Sequence, residues 1–244
     1  MAFYDHSFYG HFVPVAFAKG MVIKMDFDAI LSEILTYGDL EEIEEEDASF
    51  SELKYPKLLP MMRMYPKRYA LRDFGQVFTM KTKGPMGMEL LTISFCPGEG
   101  CEVPFLLIDC MKVGKKRTVF VEYYDCTAEK PEREELCAVW ERYKDLPDYD
   151  EKPHWYVSER APYSLIKGCE GRDEELGAMV LESAGVYLGA VLEAKKSDKN
   201  LPGLRAFRER MIREGNPSSD ILNKTLGKAG SEKFFKEWIM KIGD

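Results

Sequence analysis

The sequence contains no run of about 20 apolar residues, the length a membrane-crossing helix needs, so no membrane partner is expected. It has no Cys-x-x-Cys pair, and its six cysteines (Cys96, Cys101, Cys110, Cys126, Cys137, Cys169) are scattered. Without a secretory leader this scatter reads as reduced thiols in a cytoplasmic protein rather than as a disulfide framework. Histidines number only three, and His6 and His11 are the nearest approach to a ligand pair. They fall in an aromatic stretch that reads as an N-terminal arm, residues 1–25, so no metal is expected. Neither a Gly-x-Gly-x-x-Gly turn nor a P-loop is present, which argues against a tightly bound nucleotide. Basic residues are also short: the net charge of −8 argues against a general nucleic-acid binder. With no internal repeat and no Gly/Ser linker, residues 26–244 read as one domain, expected to be monomeric, with enough core to fold without staples.

What is present is a change of period along the chain. Asp26 suits an N-cap, and Phe27, Ile30, Leu31, Ile34 and Leu35 follow at helical spacing up to Gly38. Residues 41–47 read as a charged surface segment, helical or disordered. From Arg68 to Asp125 the pattern turns to strands, over 87–95, 103–111 and 117–124, with a hairpin turn at Gly114. Helical spacing returns at 132–143, residues 155–166 read as extended, and a long helix is expected over 172–196. Its predicted buried face is Leu176, Met179, Val180, Ala184, Tyr187 and Leu188. Two further helices should follow Pro202 and Ser231, parted by the turn Gly215-Asn216-Pro217. Strands followed by helices point to an α/β fold, a single-domain α/β/α sandwich around a largely antiparallel sheet.

Asp109 is the leading candidate for chemistry. It interrupts an otherwise apolar strand, Phe105 to Met111, where a carboxylate is costly unless it is used or paired. Burial there would raise its pKa toward that of a neutral-pH proton donor, although a bond to a turn or a lysine would also account for it. Thr92 and Ser94 share one strand face by period two, a mildly polar wall or a solvated surface. Arg117, beside Thr118, could hold a carboxylate. Asn216 could order a ligand polar group, or simply start the Asn-Pro turn.

Three ordered stretches resemble the ferredoxin-dependent bilin reductase family. The first is Phe95-Cys96-Pro97 with Val103-Pro104-Phe105-Leu106-Leu107-Ile108-Asp109, followed by the hairpin to Asp125. The second is Pro153-His154-Trp155 with Ser158 and Pro162-Tyr163-Ser164. The third is Asn216-Pro217-Ser218-Ser219 with Ile221-Leu222, Gly227 and Phe234-Phe235. The chain departs from the family where a His is common, at Thr92, and where a Glu would fall, near Met80. The Arg that commonly pairs a propionate is replaced by acidic or neutral residues around Asp150.

The resemblance implies a reductase of an open-chain tetrapyrrole, biliverdin by default, with no tightly bound cofactor and with electrons from reduced ferredoxin or flavodoxin. Asp109 and Asn216 take the catalytic places, and Thr92, Ser94, Arg117, Thr118, Ser158 and Tyr163 the substrate-binding ones. Charge is uneven: residues 26–52 hold no Lys or Arg, whereas bases outnumber acids from Lys195 to Lys241. A basic C-terminal face including Arg205, Arg208 and Lys228 would suit an acidic donor. A tetrapyrrole carrier without activity and a protein-interaction module remain as alternatives.

Overall fold

Short polar turns separate apolar runs in the middle of the chain, so it folds strand against preceding strand. The computed structural model describes residues 24–44, 48–71, 75–98, 101–127, 133–194 and 201–242. Eight strands make one sheet: β1 (Glu41–Glu42), β2 (Leu53–Tyr55), β3 (Met62–Leu71), β4 (Gly75–Lys83), β5 (Glu89–Pro97), β6 (Phe105–Val113), β7 (Lys116–Tyr124) and β8 (Leu165–Glu170). The order is β1-β3-β4-β5-β6-β7-β8, with β2 also paired to β3, and every pairing is antiparallel. Gly114 turns β6 into β7 at φ +57°, a backbone that glycine adopts without steric cost.

The helices are α1 (Phe27–Tyr37), α2 (Glu134–Tyr143), α3 (Asp173–Glu193), α4 (Leu201–Glu214) and α5 (Ser219–Phe234), the last continuing into a π-helical turn, Phe235–Ile239. Asp26 caps α1 as expected, its carboxylate accepting from the N–H groups of Asp28 and Ala29 at 2.9 and 3.0 Å. Differences from the sequence reading have local causes. The segment expected as a surface helix or coil supplies edge strand β1, and Glu42 accepts from Lys67 Nζ at 2.8 Å; residues 45–47 lie outside the described ones. Residues 155–159 form a short 3-10 turn, and the strand expected there comes later, as β8. The last helix begins at Ser219, ahead of the expected Ser231, because Gly227 absorbs a kink at φ +74° within α5. Most of the expected arm, 1–23, is outside the described residues.

Both faces of the sheet are covered, completing the sandwich. On one face Leu91, Ile93, Leu106, Ile108, Val119 and Val121 pack under α1, α2 and α3. All six residues predicted for the buried face of α3 are at most 1% exposed. On the other face Phe78, Met80, Phe105, Leu107 and Tyr124 meet α4, α5 and the π-helical turn. This second contact is also stitched by hydrogen bonds. Helix ends leave carbonyls without helical partners, and sheet side chains take them. Arg68 donates to Glu237 O at 2.8 Å, Gln76 to Trp238 O at 2.8 Å and Ser94 to Ile239 O at 2.7 Å. The C-terminal layer is thereby fixed over β3 to β5. Among the described residues no helix is long and apolar enough to cross a membrane.

Candidate active site

Antiparallel register sets Met80, Thr92 and Asp109 side by side across β4, β5 and β6, all facing the C-terminal helices. The Thr92 hydroxyl donates to Asp109 Oδ1 at 2.5 Å. Asp109 is half-buried, and loss of solvation pushes its carboxyl up to about 6, while the Thr92 bond pulls the other way. A carboxyl so placed exchanges its proton near neutral pH.

A second carboxylate stands on the neighbouring strand. Glu122 lies opposite Leu107, two positions along from Phe120, the residue opposite Asp109, so the two acids are diagonal neighbours on one face. Glu122 is 1% exposed and accepts from the Tyr124 hydroxyl at 2.9 Å and from Arg160 Nε at 2.5 Å. Arg160 leaves the 3-10 turn and also bonds both oxygens of Glu151, at 2.5 and 2.7 Å. Burial is the largest influence on Glu122 and pushes it up to about 7, against the lowering effect of Arg160; the Asp109 charge pushes the same way as burial. Two interacting carboxyls, both raised by burial, thus stand on one wall of the sheet.

The link between α4 and α5 roofs this wall. Asn216 lines the same cleft as Asp109 and Thr92, beside Met211, Pro217 and Phe235. Its side chain also builds the turn: Oδ1 accepts from Ser218 N–H at 3.0 Å, and Nδ2 donates to Met211 O at 3.3 Å. The cleft over Asp109 is nearly closed, about 20 Å³. A larger cavity of about 290 Å³ lies farther along β7, between Tyr124 and the α4 residues Gly203, Ala206, Phe207 and Arg210. Phe207 stands between the two, with its ring centroid 4.7 Å from that of Tyr124 and 6.4 Å from that of Phe105. Ligand pockets commonly measure about 300–1,000 Å³, and the two spaces together fall at the low end of that range. The link and α4 are held from the other side by the 3-10 turn, where Trp155 Nε1 donates to Gly215 O at 2.9 Å and Glu159 pairs with Arg210 at 2.6 Å.

The structure brings together only some of the residues singled out from sequence. Thr92, Asp109 and Asn216 meet at one cleft. Ser94 and Thr118 share the face, but the Ser94 hydroxyl is committed to Ile239 O. Arg117 and Tyr163 fall on the opposite side of the sheet. Arg117 pairs with Asp173 at the start of α3 at 2.6 Å, and the Tyr163 ring packs 5.2 Å from Tyr123 in the other core. Strand alternation is the reason for Arg117: it neighbours Thr118 in sequence and so points the other way. Ser158 is exposed, and its hydroxyl donates to Trp155 O within its own turn. Glu122 and Arg160 escaped the sequence reading. Glu122 carries the signal that marked Asp109, a lone acid in an apolar strand, whereas nothing local marks Arg160. On the C-terminal face, Arg208 is largely buried and sits 3.4 Å from Glu209, while Lys228 is exposed.

No protein-family model matches the chain, and no curated protein sequence matches it. Among solved structures, phytochromobilin synthase from tomato, in complex with biliverdin, superposes with a TM-score of 0.67 at 12% identity, over 87% of this chain and 80% of that one. The likeness is one of fold.

Proposed function

We propose that this protein is a bilin reductase that binds an open-chain tetrapyrrole between the sheet and the α4–α5 layer. The observation that carries this reading is Asp109, a carboxyl raised to about 6 at the cleft between sheet and lid, in a fold shared with a biliverdin-bound structure. Reducing one double bond takes two electrons and two protons. Asp109 gives a proton to the bilin, Thr92 holds the carboxyl in place, and Asn216 faces the ligand from the lid. Glu122, the diagonal neighbour, is a further proton source. Electrons arrive singly from ferredoxin or flavodoxin, an acidic donor docking over α4 and α5, where Lys224 and Lys228 are exposed. Biliverdin is the first substrate to test.

A binding-only reading has one observation in its favour: of the row Met80, Thr92 and Asp109, only Asp109 titrates near neutral pH. Titration of the purified protein with biliverdin tests what both readings share. A saturable, roughly one-to-one change in the bilin absorption band is expected, because a slot restricts a flexible tetrapyrrole. The absence of both a spectral change and calorimetric heat overturns both. Anaerobic addition of reduced ferredoxin then separates them: bleaching to a reduced bilin supports the reductase, and an unchanged bound spectrum supports the carrier.

A further inference from the structure

One end of the sheet gathers the turns between β2 and β3, between β4 and β5 and between β6 and β7. The register fixes this: Tyr55 pairs with Met62, Arg63 with Lys83, Glu89 with Lys112, and Val113 with Lys116. The large apolar side chains more than half exposed among the described residues all stand at this end. They are Leu58 at 95%, Leu59 at 81%, Met61 at 64% and Met86 at 91%. Isolated exposed leucines are ordinary, but four on adjoining turns are not. Met86 occupies a left-handed turn position, φ +55°, that glycine would fill at lower cost, and it projects into water there.

The hairpin tips at this end are rich in lysine on a chain whose net charge is −8, with the acids Glu170, Glu174 and Glu175 at and beyond the end of the last strand. Lys57, Lys83, Lys115 and Lys116 are exposed and enter no ion pair among the described residues. Lys54, Arg63, Lys81 and Lys112 surround them, partnered by Glu52, Asp28 and Glu89. Apolar tips ringed by lysine suit two partners, an acidic protein or an anionic bilayer. Protein interfaces are depleted in lysine and enriched in arginine and aromatics, and they need a shape-matched, packed centre. Here the cations are almost all lysines, and the apolar groups are separate convex tips. Lysine lays its apolar stem along an interface while its ammonium stays in water, and a fluid bilayer accepts separate tips without matching their shape. We propose that this hairpin end docks reversibly on an anionic lipid surface, inserting Leu58, Leu59, Met61 and Met86 between headgroups while the lysines meet lipid phosphates and carboxylates. Such docking is peripheral and needs no spanning helix, in keeping with the lack of one among the described residues.

Co-sedimentation of the full chain with vesicles tests the proposal, using phosphatidylcholine alone and phosphatidylcholine mixed with phosphatidylserine. Binding should require phosphatidylserine and should weaken as salt shortens the Debye length to about 8 Å and below. Lys83→Glu with Lys116→Glu should weaken binding by about tenfold or more. Leu58→Asp with Leu59→Asp should do the same, with the melting temperature unchanged because these side chains are in water. Lys224→Glu with Lys228→Glu, on the helical face, should leave vesicle binding as it is. An environment-sensitive dye at Leu59→Cys should shift to the blue on phosphatidylserine vesicles. Equal sedimentation with both vesicle types, full binding by the Leu58/Leu59 variant, or a dye that stays in water each overturns the proposal. So does binding to soluble polyglutamate with the same dependence on Leu58 and Leu59, which would assign the surface to an acidic protein.

Discussion

The two faces of the sheet are built from the same strands but solve burial differently. The face under α1, α2 and α3 is a largely apolar core, and Lys167, buried in it, is fully employed. Its ammonium donates to Lys144 O at 2.6 Å, Leu146 O at 2.9 Å and Asp148 Oδ1 at 2.6 Å, closing the end of α2. The face under α4 and α5 buries acids instead, Asp109 and Glu122, and among the described residues Thr92 alone donates to Asp109. A buried cation with three acceptors has its desolvation cost offset by its partners, whereas a carboxyl held above its ordinary pKa costs stability at neutral pH. The difference teaches where to look for chemistry: the face that tolerates an electrostatic cost is the one with the cleft.

That contrast yields ordered predictions. Arg160→Ala should be the most damaging, because it strands Glu122 as an unpaired buried carboxylate; about 3–5 kcal/mol is expected near pH 8. The loss should shrink in mild acid, where Glu122 can take a proton, and urea denaturation at both pH values measures it. On the opposite face, Met179→Ala should cost about 3 kcal/mol by leaving a cavity in a fully buried position. Its cost should not vary with pH, and bilin binding should survive. If both substitutions show the same pH dependence, the two faces do not differ as described.

The pH dependence of stability sharpens the point. Asp109 and Glu122 hold more protons in the folded chain than in the unfolded one, since both carboxyls are raised, to about 6 and about 7. Their favourable contribution is therefore complete below about pH 4 and is lost as pH rises through about 6 to 7. Asp109→Asn should remove the Asp109 share, about 3 kcal/mol, and flatten the decline between pH 4 and pH 7. An unchanged slope places Asp109 in ordinary solvent. The smallest effect is expected at the stitching of the C-terminal layer. Ser94→Ala leaves Ile239 O without its donor and should cost about 1 kcal/mol, seen as faster amide exchange in the π-helical turn.

Much of this architecture was legible because local chemistry and global fold agree. Asp26 and Gly38 bracket α1, the six apolar positions of α3 are its buried face, and the Gly114 hairpin registers β6 on β7. Asp109 was legible for the same reason, as a charge where period and composition called for none. What escaped depends on long-range pairing. β1 is two glutamates whose strand character comes only from β3, and the 3-10 turn that aims Arg160 into the sheet has no sequence period. The facing of Arg117 needed the register of β7, which a single hairpin does not fix until its partners are known. Glu122 could have been found by the rule that found Asp109, applied one strand later.

The central claim is that Asp109 delivers a proton to a bilin held against the sheet. The direct measurement is anaerobic reduction of bound biliverdin by photoreduced ferredoxin, followed by absorbance, for the wild type and for Asp109→Asn. The account predicts equal bilin affinity, a reduction rate lower by about 10²-fold, the usual scale for losing a general acid, and a longer-lived radical in the variant. Reduction at the wild-type rate by Asp109→Asn would contradict it.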